Sequence, residues 1–74
     1  METLTGTAQN PTLTITEGRH ALVVTLSEAE RYADEACARV RRLQAAGRLR
    51  AAQNATPVAT AWVQRARRLR HAAA

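Results

Sequence analysis

The sequence predicts a small α+β domain in which a β-hairpin precedes two α-helices. Three patterns lead to this class. Residues 12–26 alternate polar and apolar side chains, residues 27–47 repeat apolar side chains at helical spacing, and residues 56–71 repeat that helical pattern. The 74-residue chain is long enough for one domain. We expect residues 1–11 to be a flexible N-terminus or an edge strand, and residues 12–71 to form the domain.

The hairpin is predicted from a threonine-rich strand and an apolar return strand. Thr12–Thr16 is built from β-branched residues, and His20–Leu26 alternates in the same way. Glu17-Gly18 is expected to form the tight turn, which would pair Ile15 with His20. This register places five apolar side chains on one face of the hairpin. They are Leu13, Ile15, Leu22, Val24 and Leu26.

A weaker copy of the strand pattern precedes the hairpin. Thr3–Thr7 resembles Thr12–Thr16, but Gly6 stands where the second copy has Ile15. The segment would be either a third strand at the edge of the sheet, joined through a turn at Asn10-Pro11, or a frayed terminus. The sequence leaves both alternatives open.

The first helix is expected to begin at Ser27 and to end near Gly47. Ser27 and Glu30 have the spacing of a capping box, and glycine is the commonest residue after a helix end. Acidic residues occupy the first turns and arginines the last, as the helix dipole favours. The apolar stripe consists of Ala29, Tyr32, Ala33, Ala36, Val40 and Leu43.

The second helix is expected to begin at Thr56-Pro57. Threonine is a good N-cap, and proline is tolerated at the first helical position. Residues 48–55 would then be a linker or a short extra turn. The expected apolar stripe of this helix is Val58, Trp62, Ala66 and Leu69.

The apolar content is too small to stabilise a single copy well, so we expect a homodimer. Alanine supplies 17 of the 34 hydrophobic residues, and phenylalanine is absent. The single cysteine, Cys37, excludes an internal disulfide. Chains of this length commonly gain stability by association. The side chains expected in the core or the dimer interface are Leu22, Val24, Leu26, Tyr32, Trp62 and Leu69.

Charge is the most suggestive functional feature. Residues 1–30 have one arginine against four glutamates, whereas residues 31–74 have ten arginines against two acidic residues, and the chain has no lysine. Arginine clusters bind phosphate well, although a GC-rich genome also favours arginine over lysine. Glu35 could pair with Arg31 and Arg39 at i,i+4 spacing. The candidate residues for contact with nucleic acid or another anionic partner are Arg41, Arg42, Arg48, Arg50, Arg65, Arg67, Arg68 and Arg70.

The remaining reactive side chains do not form a catalytic or metal-binding pattern. Trp62 could stack on a base, but its place in the apolar stripe favours a core or interface role. Cys37 has no histidine nearby in sequence, and with His20 and His71 it supplies too few ligands for a structural zinc ion. We therefore expect no enzymatic activity, no cofactor, no metal and no small-molecule substrate.

Two functional classes remain. The first is a small basic dimeric protein that binds nucleic acid, such as a transcriptional regulator. The second is a small inhibitor, encoded by a phage or mobile element, that covers an acidic surface of a host protein. No segment reaches the ~18 apolar residues of a membrane span, and residues 1–10 lack the pattern of a signal peptide, so we expect a cytoplasmic location without a membrane partner.

Overall fold

The chain folds into a three-stranded antiparallel sheet and a hairpin of two long helices. The computed structural model describes residues 1–73. The strands lie in the order β1-β2-β3, and the α+β class predicted from the sequence is confirmed. The elements are β1 (Glu2–Gly6), β2 (Pro11–Glu17), β3 (His20–Thr25), α1 (Leu26–Ala45) and α2 (Leu49–Ala72).

β1 is the edge strand that the sequence allowed as one of two alternatives. It pairs with β2 from Glu2 opposite Ile15 to Gly6 opposite Pro11. Gly6 has a φ of 81°, and a side chain there would collide with the carbonyl oxygen of Asn10. Glycine is therefore needed where the chain leaves β1.

The turn of the β2–β3 hairpin lies one residue later than expected. Glu17 pairs with His20, so Gly18 and Arg19 form the two-residue loop, and Ile15 pairs with Leu22. The expected pairing of Ile15 with His20 is wrong. Gly18 has a φ of 58°, which suits the first loop position of a type II′ turn. Because the register moved by two residues, the strand side chains stayed on the faces that the sequence predicted.

The N-cap of α1 lies two residues earlier than expected, at Thr25 rather than Ser27. The Glu28 amide donates to the Thr25 hydroxyl at 3.2 Å, and the Thr25 amide donates to the Glu28 carboxylate at 3.0 Å. Both pairs have the capping-box spacing, so sequence spacing alone could not choose between them. Leu26 consequently lies in the helix and not in the strand.

α1 ends at a glycine, as the sequence predicted. Gly47 has a φ of 73° and follows the cap residue Ala46. Its amide donates to the backbone carbonyl of Gln44 at 3.0 Å, and the Arg48 amide donates to the backbone carbonyl of Leu43 at 2.9 Å. This is the hydrogen-bond pattern of a Schellman motif, which satisfies carbonyls at the end of the helix.

α2 is longer than expected, because it starts at Leu49 and continues through Thr56-Pro57. The prediction that Thr56 caps this helix is wrong. Its hydroxyl instead donates to the Ala52 carbonyl at 2.8 Å. Residues 51–55 include three alanines, and Ala52 is buried, so helix propensity and burial both favour the extra turns.

The core lies between the sheet and the sheet-proximal parts of both helices. Its fully buried large side chains are Leu13, Val24 and Leu69. Partly buried Ile15, Leu26, Tyr32 and Trp62 pack against them. The radius of gyration is 13.8 Å and the longest dimension is 43 Å, whereas a compact domain of this length would have a radius of about 11 Å. The molecule is elongated because the two long helices extend well past this core.

Candidate nucleic-acid interface

Five arginines surround the end of the helix hairpin that is remote from the core. α1 supplies three of them in its second half, and two flank the start of α2, directly after the Gly47 turn. All five are exposed. We call this set the tip arginines: Arg39, Arg41, Arg42, Arg48 and Arg50. Four of them belong to the set predicted from the sequence, and Arg39 joins them.

The whole net charge of the chain resides in the half of the molecule that bears the tip arginines. No acidic residue follows Glu35 in the sequence. Residues 36–64 carry five arginines and no carboxylate side chain, whereas the other residues carry six arginines and six acidic side chains. Folding therefore leaves one end of the molecule strongly positive and the other end close to neutral.

The second predicted arginine group lies near the sheet, where Glu2 binds two of its members. Arg65 donates to one Glu2 oxygen from Nε at 3.2 Å and from Nη2 at 3.1 Å. Arg68 donates to the other oxygen at 3.2 Å. The Arg65 hydrogen bonds and the charges of both arginines lower the pKa of Glu2 against a smaller opposing effect of burial. The carboxylate thus joins β1 to α2 and neutralises part of this group.

The other two members of the second group have different surroundings. The Nη2 atom of Arg70 lies 3.6 Å from Oε1 of Glu30 in α1, which makes an ion pair. Arg67 borders a groove that Arg41 also borders, so one residue of each group shares a surface. Arg50 and Arg65 are nevertheless fifteen positions apart in α2, which corresponds to about 22 Å of helix. The two groups therefore do not merge into one cluster of cations.

Glu35 does not form the local ion pairs expected from its spacing. Within residues 1–73, the ion pairs are those of Glu2 and Glu30, and neither Arg31 nor Arg39 reaches Glu35. The Arg31 guanidinium instead lies 5.4 Å from the centre of the Tyr32 ring. Arg39 is consequently available for an external anion.

Trp62 occupies a structural position. Its ring centre lies 4.8 Å from that of Tyr32, with an angle of 57° between the rings. The Arg65 guanidinium lies 4.7 Å from the Trp62 ring centre. Contacts with a neighbouring ring and a cation, together with packing against the core, leave little indole surface for stacking on a base.

An open groove of about 510 Å³ runs between the helices beside β3. Tyr32 and Trp62 lie at its sheet end, and Leu22 and Val58 contribute exposed apolar surface. Its charged lining residues are Glu35, Arg39 and Arg42. We call this the lateral groove.

The six side chains expected in the core or interface divide into three kinds. Val24 and Leu69 are fully buried and belong to the core of the single chain. Leu26, Tyr32 and Trp62 are partly buried against that core. Leu22 is 48% exposed, so it is the member of the set that most needs a covering partner.

The other reactive side chains lie apart from one another. Cys37 is half-buried beside the groove that Arg41 and Arg67 border, whereas His20 and His71 are exposed elsewhere. Among residues 1–73, no three histidine, cysteine or acidic side chains are arranged to hold a metal ion. Over the same residues, neither helix has the length of apolar sequence required to cross a membrane.

The chain matches no protein-family profile, and no curated protein or solved structure is detectably similar to it. The geometry and charge of the chain itself therefore define its candidate function.

Proposed function

We propose that this protein binds the phosphate backbone of duplex nucleic acid through the tip arginines. The observation that carries the proposal is the separation of charge, because residues 36–64 contain the five tip arginines and no carboxylate side chain. Such a surface attracts a polyanion and releases its counterions on binding. We place this role in the cytoplasm, where a chain with one unpaired cysteine is compatible with the reducing conditions.

Duplex nucleic acid suits the tip better than a single strand. Proteins that hold single strands combine a basic groove with exposed aromatic platforms. The only aromatic residues of this chain, Tyr32 and Trp62, pack on each other. Contacts to phosphates need no such platform, since arginine binds phosphate oxygens with its planar guanidinium.

One residue that the sequence did not single out adds an amide to this surface. Asn54 lines a shallow depression at the turn together with Arg48 and Arg50. Its side chain can donate and accept hydrogen bonds at a base edge or a sugar. The only available sequence signal was its distance of four residues from Arg50, which places both on one side of a helix.

Two matched variants test the proposal. The tip variant replaces Arg41, Arg42, Arg48 and Arg50 with Gln, and the sheet-end variant replaces Arg65, Arg67, Arg68 and Arg70 with Gln. Each loses four charges, so a general loss of attraction affects both alike. We expect the tip variant alone to lose most of its affinity for a labelled DNA duplex. Its log–log salt slope should shrink by up to about 3.6, or ~0.9 for each lost phosphate contact. Equal losses in the two variants would contradict the proposal.

Binding to an acidic protein surface is the second candidate, and exposed apolar side chains favour it. Leu49 lies between two tip arginines and is 63% exposed. A phosphate backbone offers such a side chain little contact, whereas protein interfaces commonly bury one among charges. Leu49→Gln should leave duplex binding unchanged under the first proposal. Loss of binding to a host protein in this variant, with no competition from duplex DNA, would support the inhibitor instead.

A further inference from the structure

One row of backbone hydrogen-bonding groups on β3 faces the open edge of the sheet. Thr16 exchanges two backbone hydrogen bonds with Met1, at 2.8 and 2.9 Å, so its backbone groups face β1. Because successive residues of a strand face opposite neighbours, Ile15 bonds to its partner Leu22 on β3. The residues on either side of Leu22 must then face outward. These are Ala21 and Val23.

The two edges of the sheet differ in their protection. The β1 edge carries Glu2, whose charged side chain points toward the helices, and ends at Gly6 with a positive φ. β3 contains no Asp, Glu, Lys, Arg or Pro, and its pairing with β2 is continuous. An apolar edge strand without such features is a template for pairing with another strand.

The side chains of β3 are also unusually open to solvent for their composition. Leu22 is 48% and Val23 56% exposed, on opposite faces of the sheet. Leu22 continues into the lateral groove, where Val58 is 55% exposed. A small chain with three large, fully buried side chains gains stability by covering such surface.

We propose that β3 pairs antiparallel with β3 of a second copy of this chain, which makes one six-stranded sheet. Charge permits a second copy as the occupant, and the small core of a single chain favours one. The half of the molecule that contains the sheet has equal numbers of arginines and acidic side chains. Two copies can therefore approach through β3 without net repulsion, whereas their tips, with five arginines each, repel one another.

The capping box of α1 determines the register of this pairing. The Thr25 amide also faces outward, but it already donates to Glu28. The outward amides that remain free to pair are those of Ala21 and Val23. They lie opposite each other in the two copies when the twofold axis passes between the two Leu22 residues. Ala21 of each copy then pairs with Val23 of the other, which forms four interchain hydrogen bonds. The Leu22 side chains meet at the axis, in the closely spaced position of an antiparallel pair.

The dimer itself does not depend on the proposed function. Where that function holds, each copy contributes one set of tip arginines, so the assembly presents two phosphate-binding ends related by the twofold axis. Failure of DNA binding would leave the dimer intact, and failure of the dimer would leave each tip able to bind DNA. The two proposals can therefore fail separately.

Sedimentation equilibrium of matched proline variants tests the interface. At micromolar concentration the wild-type chain should have twice its mass of 8.1 kDa. Val23→Pro removes an outward amide without touching the β2–β3 ladder, so two of the four hydrogen bonds disappear. We expect the dissociation constant to rise about 30-fold. Leu4→Pro removes an outward amide from the β1 edge and should leave the dimer intact. A monomeric wild type, or equal effects of the two variants, would overturn the proposal.

Complementary charges at Leu22 test whether the partner is a second copy. Leu22→Lys and Leu22→Glu should each be largely monomeric, because like charges meet at the axis. An equimolar mixture should form a heterodimer. A mixture that stays monomeric would overturn the register and direct attention to a strand from another protein.

If Val23→Pro does not fold, hydrogen exchange of the wild-type chain tests whether β3 pairs with a second copy. The amides of Ala21 and Val23 should become protected as the wild-type concentration rises. Fast exchange at every concentration would overturn the proposal.

Discussion

Replacing Glu2 by Gln should loosen the attachment of β1 to α2. The carboxylate accepts three hydrogen bonds from Arg65 and Arg68. Gln keeps the size of the side chain but removes the charge and presents an amide donor to a guanidinium. Exposed pairs are worth about 0.2–1 kcal/mol, and two-point contacts lie at the upper end. Glu2 is 29% exposed in its side chain, so we expect a loss of about 1 kcal/mol.

The pH dependence of this loss gives the experiment its control. Arg65 and Arg68 lower the pKa of Glu2 in the folded protein below its ordinary value of 4.5. The stabilisation is therefore complete above the unfolded pKa and disappears as the pH falls through the folded pKa. Wild type and Glu2→Gln should differ at pH 7 and should converge in acid, once the Glu2 carboxyl is protonated in the folded protein as well as in the unfolded chain.

Thermal unfolding followed by circular dichroism measures the difference. A loss of about 1 kcal/mol corresponds to a decrease of about 4–8 °C in Tm for a domain of this size. Glu17→Gln is the matched control, because Glu17 is exposed beside the hairpin turn and forms no ion pair within residues 1–73. An unchanged Tm at pH 7, or a difference that persists in acid, would refute the reasoning.

Three further stability changes follow from the helix ends and Pro57, and urea unfolding measures each. Thr25→Ala should cost about 1 kcal/mol because it removes the cap of α1, whereas Ser27→Ala should stay within about 0.5 kcal/mol; the reverse order would restore Ser27 as the cap. Gly47→Ala should cost about 1 kcal/mol, because alanine disfavours the φ of 73°. Pro57→Ala should add about 2 kcal/mol, since it restores an amide donor inside α2, and a destabilised variant would contradict that account.

The strand faces were predictable from the sequence, but their register was not. A period of two residues placed Leu13 and Val24 on the same apolar face, although the expected register paired Leu13 with Leu22 and not with Val24. Moving the turn by one residue changed every partner in the hairpin without changing this face. The expected turn has Gly18 as its second loop residue, whereas the observed turn has Gly18 as its first. The alternation of side chains is the same for both turns, so it could not choose between them.

The two helix starts show that capping residues in the sequence do not by themselves determine where a helix begins. Thr56-Pro57 has the residues of a helix start, yet α2 passes through it. The extra turns bury Ala52 and consist mainly of residues with good helix propensity, and they form despite the missing hydrogen bond at the proline. At the start of α1, Thr25/Glu28 and Ser27/Glu30 both have the spacing of a capping box. β3 ends at Thr25, and Thr25 is the cap.

The candidate interface was only partly predictable, for a related reason. The tip arginines are close in sequence on both sides of one turn, so the sequence alone grouped four of them. The partners of Arg65, Arg68 and Arg70 are Glu2 and Glu30, which lie at least forty residues earlier in the chain. Such pairs depend on how β1 and α1 pack against α2, and local charge patterns cannot show that.

Chemical-shift mapping with a DNA duplex tests the central claim most directly. The side-chain Nε–Hε signals of the arginines report on each guanidinium separately, and binding of a duplex should shift those of the tip arginines. Arg65, which is held by Glu2, serves as an internal control and should move little. If all five tip arginines contact phosphates, affinity should also fall about 500-fold between about 50 and 200 mM salt. Shifts centred on Arg65 and its neighbours, or no shifts at low salt, would contradict the account.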